Sequence, residues 1–300
     1  MAIVVVGSVA LDTITTSAGR FPTLLGGSAT YFSLAARRLT EVRIVAGIGR
    51  DFPARLLPIL RHPRVDLTGL AALPGKTFQW SGRYSDDCSS RETLALALGV
   101  FATFRPTIPP QHRRCSSVFL ANIHPRVQQQ VLAQVARPRL VAVDTIDHWI
   151  RHERAALLRL LRKADMVFLN DEEARLLTQR SSHRAMGAWL RKRGPSVVII
   201  KQGWYGAVGW AGSSMIWVPA YPVDATVDPT GAGDSFAGGV IGMLDRARRI
   251  DVNTLRHAML YGSVIGSFCV EGMGVSALSR LTTAAFEKRL ADLKRISGVG

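Results

Sequence analysis

Short runs of apolar residues alternate with stretches of helical periodicity along most of this chain of 300 residues. We expect the apolar runs to be buried strands and the stretches between them to be helices. The predicted strands are residues 3–6, 42–46, 118–121, 140–143, 166–169 and 197–201, and the predicted helices are 28–39, 126–137, 149–163, 171–178, 183–193 and 235–244. Strands joined by single helices indicate βαβ units with right-handed crossovers. The pattern therefore predicts an α/β fold, with a doubly wound, mainly parallel sheet and helices on both faces.

Two segments, residues 11–21 and 76–98, break this alternation. Polar and apolar residues alternate within them, as in KTFQWSGRY from Lys76 onward, which is typical of half-exposed antiparallel strands. We expect them to form a small β lid beside the parallel sheet. No internal repeat and no linker rich in Pro, Gly or Ser divides the chain, so residues 1–300 are predicted to form a single domain.

The composition excludes several classes of protein. Hydrophobic residues make up 47% of the chain and charged residues 20%, which is too apolar for a disordered protein. No uninterrupted apolar stretch reaches the roughly 18 residues of a membrane span, and the first residues do not resemble a signal peptide. The 3 cysteines are odd in number and widely spaced, which argues against a disulfide framework or a CxxC metal site. A cytoplasmic protein without a membrane partner is expected.

The chain is strongly basic, with 38 Lys and Arg against 22 Asp and Glu and a net charge of +16. A nucleic-acid-binding protein usually concentrates such charge in one run or stripe, whereas these basic residues are scattered through nearly every segment. A diffuse positive field also attracts small anionic substrates such as ATP. We therefore expect a small-molecule substrate and no nucleic-acid partner, and nucleic-acid binding is the less favoured alternative.

The most informative block is DPTGAGDSFAGG at residues 228–239, where small residues lead into a predicted helix. Backbone N–H groups at the beginning of such a helix can converge on an anion. Asp234 lies in the first turn, where an ionised carboxylate can accept a proton. A general base beside an anion site is the pairing that a kinase needs when a hydroxyl attacks ATP. The alternative is a glycine-rich turn in which Asp234 only caps the helix.

Four more motifs occur in order along the chain: GSVALD at 7–12, LGGSATYFSLAA at 25–36, NDEEA at 170–174 and KQGWYGA at 201–207. Together with residues 228–239 they resemble the motifs of the PfkB carbohydrate kinase family, which has the ribokinase-like fold. The resemblance extends from about residue 4 to about residue 274. The rival dinucleotide-binding fold is less favoured, because no G-x-G-x-x-G follows the first strand.

The resemblance implies an ATP-dependent kinase that transfers the γ-phosphoryl group to a hydroxyl of a small sugar or sugar derivative, with Mg²⁺ and in some members K⁺. A nucleoside kinase of the same fold, acting on an adenosine-like acceptor, is the alternative. A non-catalytic ligand-binding relative is a further alternative, and the intact Asp234 argues against it. The resemblance also allows either a monomer or a homodimer paired through the edge strands of the lid.

The resemblance assigns a role to each matched residue. The catalytic set is Asp234 as general base with the anion hole of Gly231, Ala232 and Gly233. The substrate-binding set is Asp12, Gly26 and Gly27. The nucleotide set is Asn170 and Glu173, which organise Mg²⁺ through water and the ATP phosphates, with Lys201 and Gly203 nearby. Asp228 and Thr230 match the monovalent-cation site.

Two positions depart from the family pattern. Tyr31 stands where the family usually has an asparagine after the glycine pair, which leaves the identity of the acceptor open. Gly262 stands where the family often has an asparagine near the adenine, so the motif names no adenine contact. The loop at residues 271–274 lies where the family closes its monovalent-cation site.

Overall fold

The computed structural model describes residues 1–88 and 90–298 of the chain. Thirteen strands are described. In chain order they are β1 Ala2–Val6, β2 Ala10–Thr16, β3 Gly19–Gly26, β4 Glu41–Gly49, β5 Val65–Leu73, β6 Gln79–Tyr84, β7 Arg91–Ala97, β8 Ser117–Leu120, β9 Leu140–Val143, β10 Met166–Asn170, β11 Val197–Lys201, β12 Ala207–Ala211 and β13 Ser214–Val218.

Nine of these strands form one large sheet, in the order β13-β12-β11-β10-β9-β8-β1-β4-β5. The seven strands β11, β10, β9, β8, β1, β4 and β5 pair in parallel with their neighbours in the sheet. At the other edge, β12 and β13 extend the sheet as an antiparallel hairpin. All six apolar runs predicted as strands lie in this sheet. β5 and the β12–β13 hairpin were not predicted; β5 is an edge strand with half-buried residues, so it shows no continuous apolar run.

Within residues 1–88 and 90–298, eleven α-helices accompany the strands. They are α1 Ser28–Ala36, α2 Leu57–Leu60, α3 Pro125–Leu132, α4 Asp147–His152, α5 Arg154–Leu161, α6 Asp171–Thr178, α7 His183–Arg191, α8 Ala232–Arg246, α9 Val252–Val270, α10 Ser276–Arg280 and α11 Thr283–Ser297. The helix predicted over 149–163 is two helices, because Glu153 leaves the helical backbone region. None of the helices in the described part of the chain is both long and apolar enough to cross a bilayer.

Helices cover both faces of the large sheet and enclose two apolar cores. Alternate residues of β1 belong to different cores, with Ile3 and Val5 in one and Val4 and Val6 in the other. The first core contains α1, α8, α9 and α11, and the second contains α3, α5, α6 and α7. This two-sided burial explains why the central strands are almost continuously apolar up to their carboxyl ends.

A small sheet of four strands stands apart from the large one, in the order β3-β2-β6-β7. It contains most of the two predicted lid segments, although Ser89 of the second lies outside the described residues. The prediction of antiparallel strands is wrong for the central pair, because β2 and β6 run parallel. Each of these strands follows a strand of the large sheet, β1 and β5 respectively, and both leave that sheet at the same edge because β1, β4 and β5 run parallel.

Candidate active site

Three neighbouring strands of the large sheet each bring a polar residue to the same edge. Asp144 follows β9 directly, Asn170 is the last residue of β10, and Lys201 is the last residue of β11. The carboxyl ends of parallel strands meet at one edge, where α/β proteins bind their ligands. The first turn of α8 faces this edge, because the Lys201 ammonium group lies beside Gly233.

The backbone at Gly231 can accommodate only glycine. Its φ of +75° is in the left-handed region, and it forms the N-cap of α8. A Cβ atom added there would lie 2.2 Å from Cγ of Tyr31, whose ring covers the glycine. Gly231, Ala232 and Gly233 therefore bring the helix beginning, with its positive dipole end, close to the cleft, and the Ala232 N–H donates to the Pro229 carbonyl oxygen at 3.2 Å. This arrangement can bind an anion.

Asp234 lies in the first turn of α8 and is half-buried. Burial, and then the negative charge of Asp144, raise the pKa of Asp234 to about 7, while Lys201 and Arg91 act in the opposite direction. A carboxylate with a pKa near neutrality can both accept and release a proton at physiological pH. The position beside the helix beginning thus combines a general base with an anion site.

Lys201 and Asp144 form an ion pair at the sheet edge, with 3.1 Å between Nζ and Oδ2. Burial lowers the pKa of Lys201, but Asp144, Glu173 and Asp234 together raise it above the usual value, so the ammonium group stays charged. A Cβ atom on Gly233 would lie 3.1 Å from this Nζ atom. The sequence motifs did not include Asp144; the available signal was a polar residue placed directly after the buried strand at 140–143.

Asn170 and Glu173 form a capping box at the beginning of α6. Oδ1 of Asn170 accepts from the Glu173 N–H at 2.7 Å, and Oε2 of Glu173 accepts from the Asn170 N–H at 2.7 Å. Glu173 is buried, and burial raises its pKa to about 7. This pair therefore has a structural role in addition to any contact with a ligand.

The charges at this edge fit a divalent cation. Three carboxylates, Asp144, Glu173 and Asp234, surround the single ammonium group of Lys201. Among the described residues no group of three His, Cys, Asp or Glu side chains is placed to ligate a metal ion directly. A cation here would keep much of its hydration and bind through water and phosphate oxygens, which is typical of Mg²⁺.

Asp12 is buried where the small sheet meets the large one. Its carboxylate lies over the backbone of Gly26, where an added Cβ atom would come within 1.8 Å of Oδ2. Burial, and then the charges of Asp228 and Asp234, raise the pKa of Asp12 to about 8. Gly27 is the N-cap of α1. The structure thus brings the three predicted substrate-binding residues together, close enough to Asp234 for the two carboxylates to repel.

Asp228 is fully buried in the loop before α8. Its Oδ1 atom accepts from the Thr230 N–H at 2.9 Å, and its Oδ2 atom accepts from the Gly274 N–H at 2.8 Å. Burial raises its pKa, and no ion pair joins it to a basic side chain within the described residues. A buried carboxylate that is hydrogen-bonded but not ion-paired fits a monovalent cation.

An apolar cavity of about 190 Å³ leads away from Lys201 and Gly233. Its lining includes Gly203, Trp204, Tyr221, Phe236, Ser263 and Gly266. A flat, weakly polar group connected to a phosphate fits this combination of apolar wall and anion site. Of the lining residues, the sequence motifs had singled out Lys201, Gly203, Ala232 and Gly233 as site residues. Gly262, by contrast, lies where α9 crosses α8, and a Cβ atom on it would meet the Phe236 carbonyl oxygen at 2.7 Å.

Comparison with known proteins gives concordant results. The model of the pfkB family of carbohydrate kinases matches residues 127–282. The cytidine kinase of Thermococcus kodakarensis is 30% identical over 255 residues, which are 83% of this chain and 90% of that protein. The nucleoside kinase of Methanocaldococcus jannaschii, an archaeal member of the ribokinase family, superposes with a TM-score of 0.77 at 20% identity, over 97% of this chain and 98% of that one. A double mutant of the fructokinase of Vibrio cholerae, solved with fructose, ADP and a potassium ion, superposes with a TM-score of 0.77 at 20% identity, over 96% of this chain and 98% of that one.

Proposed function

The chain belongs to the pfkB family of carbohydrate kinases, and we propose here which of its residues carry out the phosphoryl transfer. It has the ribokinase-like α/β fold and is an ATP-dependent kinase whose acceptor is an alcohol group. The family uses a divalent metal ion with ATP. The roles of individual residues, the metal ion and the acceptor are our proposals.

Asp234 is the general base in the proposed mechanism. The acceptor hydroxyl, oriented by Asp12, attacks the γ-phosphorus of ATP, and Asp234 takes its proton. The bond from the acceptor oxygen to phosphorus forms, the bond from phosphorus to the β,γ-bridging oxygen breaks, and its electron pair leaves with ADP. The N–H groups of Gly231–Gly233 and the Lys201 ammonium group stabilise the negative charge during transfer. The observation that supports this assignment is the pKa of about 7 for Asp234 beside the helix beginning.

We assign Mg²⁺ to the sheet edge beside Asn170 and Glu173, and K⁺ to Asp228. Bound Mg²⁺ would neutralise charge on the transferring phosphates. Asn170 and Glu173 would orient its water ligands, and Lys201 would bind phosphate oxygens. Asp228, with the Thr230 loop and the loop that ends at Gly274, would hold K⁺.

The acceptor that we propose is a ribonucleoside, with a free sugar as the second candidate. Trp80 is the register partner of Asp12 in the parallel β2–β6 pair, so both side chains project from the same face of the small sheet. The indole lies over Gly82, where an added Cβ atom would meet it at 2.2 Å, and the Arg91 guanidinium is 5.5 Å from its centre. A carboxylate for ribose hydroxyls beside an aromatic surface fits a nucleoside, and the cytidine kinase relative agrees with this. A free sugar is supported by the fructokinase likeness, since Asp12 binds any vicinal diol.

The small sheet is the proposed lid of a single domain, formed by segments 11–21 and 76–98. Its closure over the acceptor would exclude water, which otherwise competes for the phosphoryl group.

The test measures ADP release from Mg-ATP in potassium buffer with nucleosides, sugars and sugar phosphates as acceptors. We expect turnover with ribonucleosides, a decrease in kcat on the order of 10³-fold in Asp234→Asn, and nearly unchanged ATP affinity. Turnover only with sugars would replace the nucleoside proposal with the sugar one. A folded, ATP-binding wild type that is silent with every acceptor would contradict the proposed phosphoryl transfer. Replacing K⁺ by choline should lower the rate if Asp228 holds the ion.

A further inference from the structure

We propose that Asp144 is a positioning residue that holds the Lys201 ammonium group against the anion hole at Gly233. The inference rests on the proposed function, because it assigns a partner to a residue of that site. Asp144 belongs to none of the motifs that identify the family in this sequence. In the part of the chain that the structure describes, no hydrogen bond joins it to Gly231, Ala232 or Gly233, and it would act through Lys201.

The position of Lys201 is the first argument. A lysine side chain has four rotatable bonds, and without a partner its ammonium group would occupy many positions. The Lys201 side chain is 18% exposed and the Asp144 side chain is 6% exposed, and 3.1 Å separates Nζ of Lys201 from Oδ2 of Asp144. The partner therefore selects one conformation, in which Nζ lies beside Gly233. A donor fixed before the substrate arrives needs no reorganisation during transfer.

The rigidity of Asp144 is the second argument. Its Oδ1 atom accepts from the Thr145 N–H at 2.8 Å, which leaves Oδ2 for Lys201. Its carbonyl oxygen accepts from Nε2 of Gln128 at 3.1 Å. The same Nε2 atom also donates to the carbonyl oxygens of Leu120 and Ala121, and Gln128 is fully buried. One amide thus ties the ends of β8 and β9 together and fixes the backbone that carries Asp144.

The ion pair also lies close to Asp234, the proposed general base. The pKa of Asp234 can therefore be measured to test the proposal. Asp144 and Lys201 act on Asp234 from the edge of the large sheet, and Arg91 acts from the small sheet. Asp12 and Cys269 also lie close enough to interact with Asp234. Removing the negative charge of Asp144 leaves the Lys201 charge unbalanced and lowers the pKa of Asp234. Removing the Lys201 charge raises it, so the two variants move the same group in opposite directions.

The kinetic test compares Asp144→Asn, Lys201→Met and the double variant. We expect kcat to fall about 10- to 100-fold in Asp144→Asn, with little change in the KM for the acceptor, because only the position of a transition-state donor is lost. The kcat of Lys201→Met should fall about 100-fold, and the kcat of the double variant should fall no further than that. Asp165→Asn is the matched control, since Asp165 accepts from the Val141 N–H at the opposite end of β9. Its kcat should equal that of wild type.

The second test needs no turnover and therefore stands even if the phosphoryl transfer is not found. Aspartate ¹³C-carboxyl signals are followed by NMR against pH in the ligand-free protein, with Asp234 assigned by its absence in Asp234→Asn. The Asp234 midpoint should move to lower pH in Asp144→Asn and to higher pH in Lys201→Met. The direct effect of the lost Asp144 charge is measured between Lys201→Met and the double variant, and a smaller downward shift in Asp144→Asn, where Lys201 is present, shows that the ammonium group has left its position. A merely structural Asp144 would give the same shift in both backgrounds.

Two results would overturn the proposal. One is an unchanged Asp234 midpoint in both variants together with a wild-type kcat for Asp144→Asn. The other is full recovery of Asp144→Asn activity at raised Mg²⁺, which would make Asp144 a metal ligand. Loss of turnover in wild type with the expected NMR shifts would instead refute the proposed function alone.

Discussion

The side chain of Tyr31 lies close to three parts of the candidate site, which are Gly231, Asp12 and Asp228. Its ring covers Gly231, and burial together with the nearby Cys269, Asp12 and Asp228 raises the pKa of its hydroxyl well above the usual value. The side chain is 1% exposed, and its hydroxyl has no hydrogen-bond partner among the described residues. A buried hydroxyl without a partner destabilises the folded protein, because it has lost its hydrogen bonds to water.

Replacing Tyr31 by Phe tests this interpretation. We expect the free energy of unfolding to rise by about 1 kcal/mol in Tyr31→Phe, because the unsatisfied group is removed while the ring over Gly231 stays. Urea unfolding followed by circular dichroism measures the change, and kcat with the preferred acceptor should stay at the wild-type value. An increase of tenfold or more in the KM for the acceptor would show instead that the hydroxyl is an acceptor contact.

At the scale of elements, one side chain fastens the small sheet to the loop before α8. The hydroxyl of Tyr84, in the last position of β6, is 2.9 Å from Oγ1 of Thr230. Beyond it, in the turn that follows, Sγ of Cys88 donates to the Thr226 carbonyl oxygen at 3.7 Å. These contacts hold the small sheet against the loop before α8, beside the proposed anion hole.

Tyr84→Phe should weaken this closure without removing a catalytic group. We expect a severalfold increase in the KM for the acceptor and a higher rate of ADP formation in the absence of acceptor, because water reaches the phosphate more readily. Tyr205→Phe is the control, since Tyr205 is 75% exposed outside the small sheet. Equal rates of acceptor-free ADP formation in wild type and Tyr84→Phe would contradict a role for this contact in closure.

Some elements are determined by a few consecutive residues, and others by contacts between distant segments. Only the first kind can be predicted from the sequence. The beginning of α8 and the motif at residues 170–174 were found because each lies within a few consecutive residues. The parallel pairing of β2 with β6 was missed because it depends on where two distant segments leave the large sheet. The cavity wall was missed for the same reason, since Trp204, Tyr221 and Phe236 come from different elements. Asp144 became recognisable only when parallel pairing placed the ends of β9 and β11 at the same edge.

On the scale of the whole molecule, a strongly basic protein surrounds a site rich in carboxylates. The net charge is +16, yet Asp12, Glu173 and Asp234 have pKa values raised to about 8, 7 and 7, each mainly by burial. In the unfolded chain these groups would release their protons near pH 4. The folded protein therefore holds protons that the unfolded chain has already lost. The stabilisation from these groups is complete below about pH 4 and is lost as the pH rises through the folded values.

This difference in proton affinity predicts how stability depends on pH. Between pH 5.5 and pH 8.5 the free energy of unfolding of the ligand-free protein should fall, through the contributions of these three carboxylates. Asp12→Asn should reduce that fall, because the amide resembles the protonated acid that the folded wild type holds below pH 8. The variant should already be more stable than wild type at pH 5.5, where Asp12 is ionised in the unfolded chain, and the difference should be larger at pH 8.5.

Urea unfolding at the two pH values, for wild type and Asp12→Asn, measures this effect, with Asp165→Asn as a control that should follow wild type. Mg-ATP should reduce the loss at pH 8.5 in wild type, since a bound cation stabilises the ionised carboxylates and binding favours the folded state. An equal loss of stability in wild type and Asp12→Asn would show that Asp12 is ionised in the folded protein across this range. Its charge would then require a partner other than the acceptor hydroxyls.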